Sequence, residues 1–171
     1  RHFGREFVEL VVTGDTYDEA FTLATAEAES SGATKVPAFD HPRTIAGQGT
    51  VAREFVDQLE REPDVVYLPV GGGGLLAGSL TWLAQHSPHT RVVGVEPVGA
   101  ACLAAALDAG RPTTLPGIDT FVDGAAARRA GDVPFAIAQR PGPAMAPVPD
   151  GAIRTRKPGP VPAQGSLAAP G

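Results

Sequence analysis

Four consecutive glycines, Gly71, Gly72, Gly73 and Gly74, lie between one apolar run and a second that begins at Leu75. A strand that ends in glycines and feeds a helix can bind an anion. The first turn of a helix presents N–H groups without intrahelical acceptors, together with a partial positive charge. Residues without a Cβ let the backbone come close to a phosphate, and several N–H groups in one arc form a nest for it. No cationic side chain is needed. The run from Val70 through the four glycines to Leu75 therefore reads as a strand-to-helix turn that cradles a phosphate. A glycine run alone would suit a flexible loop equally well; the apolar stretches on both sides favour a strand–turn–helix.

The same residues admit a second ligand. Gly72-x-Gly74-x-x-Ala77 fits the dinucleotide fingerprint, and Glu96 ends the next apolar run about twenty residues on, where a ribose-binding acid would sit. A nicotinamide-dependent oxidoreductase thus stays open on pattern alone. The remaining candidates carry less. His2, His41, His86 and His89 are scattered, and His86 and His89 flank an expected helix end, a surface position. Cys102 is expected to act as a small buried apolar residue, not a nucleophile. Arg128-Arg129 fits a solvated helix face. No catalytic residue and no metal ligand is assigned.

Alternating strands and helices must position the glycines. Residues 65–70 form a continuous apolar strand of the buried parallel kind. A helix is expected from about 75 to 86, then a strand over 91–95 and a helix from 100 to 109 that stops at Gly110. Upstream, residues 7–12 are rich in β-branched side chains and predict a strand. Thr16 and Glu19 have the capping-box spacing of a helix running to about Ser30, with Gly32 as its stop. A short strand is expected over 34–39. Asp40-His41-Pro42-Arg43 opens the next helix, with Val51, Phe55 and Leu59 on one face. The pattern predicts an α/β fold with a parallel sheet flanked by helices. Residues 139–171 hold 8 of the 17 prolines and no aromatic residue. They are expected to form a disordered tail, because they cannot bury enough apolar surface to offset their ordering entropy.

The chain has 171 residues, enough for a real core, and a net charge of −5, which argues against a nucleic-acid binder. No apolar run reaches membrane-spanning length, so no membrane partner is expected. A single cysteine allows no internal disulfide and suits a cytoplasmic location. The start lacks Met and leads quickly into an apolar run, as expected of a chain entered mid-protein.

Several segments together resemble threonine ammonia-lyase (threonine dehydratase), a fold-type II pyridoxal-phosphate enzyme family with the tryptophan synthase β-like fold. They are Val8-Glu9-Leu10-Val11-Val12 with Gly14-Asp15-Thr16-Tyr17, then Pro37-Ala38-Phe39-Asp40 with Pro42-Arg43-Thr44-Ile45-Ala46-Gly47-Gln48-Gly49-Thr50. Pro69-Val70 with the glycines and Leu75, Val95-Glu96-Pro97, Ala101-Cys102-Leu103 and Phe121-Val122-Asp123-Gly124 continue the series. The resemblance covers about residues 3–138 and is closest to the biosynthetic enzymes of isoleucine synthesis. Catabolic serine/threonine dehydratases and serine racemase are the alternatives within the same fold type.

The resemblance implies pyridoxal 5'-phosphate as cofactor, bound at its phosphate by Gly71, Gly72, Gly73, Gly74 and Leu75. Phe39 and Gly124 would line the cofactor edge. It implies L-threonine, and secondarily L-serine, as the small-molecule substrate, converted to a 2-oxo acid and ammonia, and a homo-oligomeric parent enzyme. Residues 1–38 would be the end of the small domain, 39–138 part of the large cofactor-binding domain and 139–171 the tail. The family's Schiff-base lysine lies N-terminal to this chain. Lys35 and Lys157 lack its Ser-x-Lys surroundings, so the chain alone is expected to be inactive. Serine racemase holds a divalent cation near the position of Glu96; Cys102 stands where a second ligand would be, so no metal is expected.

Overall fold

The computed structural model describes residues 7–140, 142–149 and 151–153. The chain divides between Ala38 and Phe39 into two compact units.

In the first unit, α1 (Tyr17–Ser31) starts at Thr16, whose hydroxyl accepts the Glu19 N–H at 3.2 Å, and stops at Gly32 with φ 73°. These are the expected start and stop. The Glu19 carboxylate reaches back one residue further than a capping box requires, accepting from the Asp15 N–H at 2.8 Å. No residue of α1 is buried. Residues 8–14 and 33–37 adopt neither strand nor helix, which corrects the strands expected over 7–12 and 34–39. A strand is held by a ladder, and these segments pair with none of the described residues. Phe7, Val8, Leu10, Val11 and Val12 are exposed as a result.

The second unit holds a parallel sheet of three strands in the order β1 (Val65–Pro69), β2 (Arg91–Pro97), β3 (Ala144–Val148). β1 pairs with β2 from Val65↔Arg91 to Pro69↔Val95, and β2 pairs with β3 from Val93↔Ala144 to Pro97↔Val148. Parallel neighbours need crossovers. The first crossover is α3 (Gly74–His86); the second contains α4 (Cys102–Ala109) and α5 (Asp132–Ala138). The core gathers Leu68, Val70, Leu76, Leu83, Val92, Leu103 and Phe135 with small residues between them.

β3 corrects one expectation. It lies inside the segment expected to be a disordered tail from 139 onward. Its proline is tolerated because the strand sits at the sheet edge, and β2 supplies the ladder that no local pattern reveals. Residues 154–171 of that tail lie outside the described residues.

α2 (Pro42–Leu59) packs on α3. His41 caps it, its Nδ1 accepting from the Arg43 N–H at 3.2 Å, and Pro42 takes the first helical position. Its buried positions are Ile45, Gly49 and Ala52, with Phe55 and Val56 partly buried. Val51 and Leu59 are exposed, so the inner face is turned by about one residue from the one expected. Two glycines set the helix spacing. A Cβ on Gly49 would lie 2.9 Å from the Gly78 carbonyl oxygen, and one on Gly78 would lie 2.6 Å from the Gly49 nitrogen. Among the described residues no helix is long and apolar enough to cross a membrane.

Candidate functional site

β1 delivers the glycine loop to the C-terminal edge of the sheet. The Val70 N–H donates to the Val95 carbonyl at 2.8 Å, and the chain then leaves the ladder. Gly73 is the N-cap of α3 at φ 94°, a backbone conformation strained for any residue with a Cβ. Its carbonyl accepts the Ala77 N–H at 2.9 Å and starts the helix.

The four glycines are closely approached by three other parts of the unit. A Cβ on Gly71 would lie 3.2 Å from Ala125 Cα, and one on Gly73 would lie 2.9 Å from Pro134 Cβ. One on Gly72 would run into the Phe39 ring, and one on Gly74 would lie 2.9 Å from Phe39 Cβ. The glycines are therefore needed for packing as well as for any ligand.

The loop's carbonyls and amides differ sharply in how they are satisfied. The Gly72 carbonyl accepts the Gly131 N–H at 3.0 Å, and the Gly71 carbonyl accepts the Cys102 thiol at 3.4 Å. The N–H groups of Gly72, Gly73, Gly74 and Leu75 meet no acceptor among the described residues, although Gly72, Gly73 and Gly74 are buried. An unsatisfied buried donor costs about 1–3 kcal/mol. Donors grouped at the N-terminus of a 13-residue helix suit an anionic ligand.

Phe39 and Gly124 were expected at the cofactor edge. Phe39 packs against Gly72 and Gly74. Gly124 lies in a short 3-10 turn, Asp123–Ala125, whose last residue abuts Gly71, while Gly124 itself faces open space.

Glu96 is not available to a ribose. It is fully buried, and its two carboxylate oxygens accept the Leu103 and Ala104 N–H groups at 2.8 and 2.9 Å. It caps α4, which removes the acid that the oxidoreductase reading requires. Burial raises its pKa, against the lowering effect of those two N–H bonds. A raised folded-state pKa adds stability that is full below the unfolded pKa and lost as pH rises through the folded one. Wild type is therefore expected to lose stability relative to Glu96→Gln as pH climbs from the ordinary carboxylate range toward neutral, in urea melts at several pH values. Glu96→Ala, which orphans both amides, is expected to cost about 2–4 kcal/mol below the ordinary carboxylate range, and less as pH climbs and the wild type loses that stability.

Cys102 is fully buried, and burial first, then the nearby Glu96 charge, pushes its thiol up to about 12. It is no nucleophile. Lys35 is engaged in the first unit, bonded to the Thr25 hydroxyl with its ammonium 3.3 Å from the centre of the Phe21 ring. Lys157, the chain's other lysine, lies outside the described residues.

The family model described as "Pyridoxal-phosphate dependent enzyme" matches residues 1–155. The chain belongs to this family. The pyridoxal-phosphate enzymes use a cofactor whose phosphate is an anion of the size such a donor cluster accepts, so the buried free amides fit the group. The match runs past residue 138, where the sequence resemblance was expected to stop, and takes in β3. The chain is 52% identical over 157 residues to the biosynthetic L-threonine dehydratase IlvA of Mycobacterium tuberculosis, covering 91% of this chain and 37% of that protein. Among solved structures it resembles the processed threonine deaminase isoform 2 of Solanum lycopersicum, at 41% identity and a TM-score of 0.78, over 84% of this chain and 41% of that one. It also resembles maize serine racemase at 28% identity and a TM-score of 0.77, over 86% and 44% of the two chains. The chain thus spans less than half the length of each.

Proposed function

We propose that this chain is the cofactor-phosphate-anchoring part of a threonine ammonia-lyase of the biosynthetic, isoleucine-forming type. The observation that carries the reading is the set of buried N–H groups at Gly72, Gly73 and Gly74 without acceptors, at the start of α3. With Gly71 and Leu75 they hold the phosphate of pyridoxal 5'-phosphate, and the α3 dipole adds to its binding. Phe39 forms a wall of the loop. The bound cofactor supplies an electron sink for removal of the α-proton and loss of the β-hydroxyl of L-threonine. The higher identity to the threonine enzyme than to serine racemase supports threonine as substrate, with L-serine second. Residues 1–38 then belong to the small domain, and the second unit to the large domain, of a cytoplasmic homo-oligomer. Lys35 is taken up by Thr25 and Phe21 within the first unit, and neither it nor Lys157 has the family's Ser-x-Lys surroundings, so binding of the cofactor without turnover of substrate is expected of these residues.

The test is borohydride reduction of the chain mixed with pyridoxal phosphate, followed by mass spectrometry and an assay for 2-oxobutanoate. Saturable binding that inorganic phosphate competes away, with no stoichiometric adduct on Lys35 or Lys157 and no product, is expected. A stoichiometric adduct on Lys35 or Lys157 with threonine turnover would overturn the reading that neither lysine is the nucleophile.

A further inference from the structure

Asp40-His41-Pro42-Arg43 opens α2 as expected, and within it His41 supplies the cap. The Asp40 carboxylate instead accepts the Asp132 and Val133 N–H groups, both at 3.0 Å, at the start of α5, 92 and 93 residues away in sequence. The neighbouring Gly131 sits so close to it that a Cβ there would lie 2.8 Å from the carboxyl carbon. Gly131 in turn donates its N–H to the Gly72 carbonyl at 3.0 Å. Phe39, adjacent to Asp40, lays its ring against Gly72 and its backbone against Gly74. These contacts close a circuit: Asp40 to the α5 N-terminus, Gly131 to the Gly72 carbonyl, Gly72 to Phe39, and back to Asp40.

We propose that Asp40 is a positioning residue for the phosphate loop, fixing the Gly72 peptide and the Phe39 wall through its bonds to α5. The proposal rests on the reading of the loop as a phosphate anchor. Its logic is geometric. A peptide whose carbonyl is pinned from one side presents its neighbouring N–H groups in one fixed direction, and preorganised donors bind an anion more tightly than donors that must first be ordered. Asp40 carries a negative charge, so charge alone makes it a poor neighbour for phosphate. Coulomb's law predicts that Asp40→Asn tightens phosphate binding. Positioning predicts the reverse, because the amide keeps one acceptor oxygen and sets its NH2 against the second backbone donor.

Inorganic phosphate is titrated into the full chain by phosphorus NMR, for wild type, Asp40→Asn and Asp57→Asn. Asp57 pairs with Arg53 on the exposed side of α2 and controls for the loss of one charge. Amide hydrogen exchange on the same samples reports local order. Phosphate affinity is expected to fall about ten-fold or more in Asp40→Asn alone, with faster exchange at Gly72–Leu75 and 131–133 and unchanged protection in α2 and α3. Wild-type affinity in Asp40→Asn, or tighter binding, overturns the proposal. So does weaker binding accompanied by loss of protection throughout the unit, which marks a purely structural role. A wild-type chain that does not bind phosphate at all overturns the anchor itself, and the positioning role with it.

Discussion

Gly78→Ala is expected to destabilise the second unit by about 2 kcal/mol or more, and Gly78→Val to prevent its folding, in urea or thermal melts. Alanine in a helix interior ordinarily gains about 1 kcal/mol over glycine. Here the added Cβ would press on the Ile45 carbonyl oxygen and lie 2.6 Å from the Gly49 nitrogen, both backbone atoms of α2 that cannot turn aside as a side chain can. The two helices would have to separate and lose the packing between them. Overpacking against a fixed backbone outweighs the propensity gain. Gly47, in the same α2, is exposed and faces open space. Gly47→Ala is therefore expected to raise stability by up to about 1 kcal/mol. Equal effects of the two alanine substitutions would show that helix propensity alone governs these positions and that the close approach is unimportant.

Gly73→Val is expected to weaken binding of pyridoxal phosphate and of inorganic phosphate about a hundred-fold. Two causes act together. The φ of 94° is one that a β-branched residue does not adopt without strain of about 1–3 kcal/mol. A Cβ would also meet Pro134 at 2.9 Å and push the loop away from α5. Either adjustment moves the Gly73 and Gly74 N–H groups from their places at the start of α3. Gly117, exposed and with open space where a Cβ would lie, provides the control: Gly117→Ala leaves affinity unchanged. Isothermal titration checks both, with a melting curve to show that each variant is folded. A folded Gly73→Val chain that binds as tightly as wild type would remove the loop from the site. Gly72→Ala gives a related measurement. Its Cβ would collide with the Phe39 ring, so its cost is expected to shrink in a Phe39→Ala background, a coupling readable from a double-mutant cycle.

The strand–glycine–helix unit is legible because its signals are local. A continuous apolar run of strand length, a glycine run and an apolar helix ended by Ser87-Pro88 are read within about 25 residues, and the structure places β1, the loop and α3 there. Thr16 and Gly32 bound α1 for the same reason: a cap is a short-range hydrogen bond. Where the expectations failed, partners were distant or missing from the described residues. The strand expected over 7–12 pairs with none of them, and β-branched residues cannot form a ladder by themselves. β3 lies in proline-rich sequence that reads as disorder until β2 is seen to offer its edge.

The amino-acid sequence by itself determined the βαβ framework, the placement of the glycines at a helix N-terminus and the family resemblance, because periodicity, caps and motif order are written in neighbouring residues. Only the tertiary structure decided what several of those residues do. Glu96 has the position of a ribose ligand in the sequence, yet it closes the start of α4. Asp40 looks like a helix opener, yet its partners lie 92 and 93 residues away. Gly47 and Gly78 are both helical glycines, and only the approach of a second backbone separates an open position from an obligatory one. Hydrogen-bond partners and close contacts across long sequence separations depend on how the elements pack, and no local pattern encodes that.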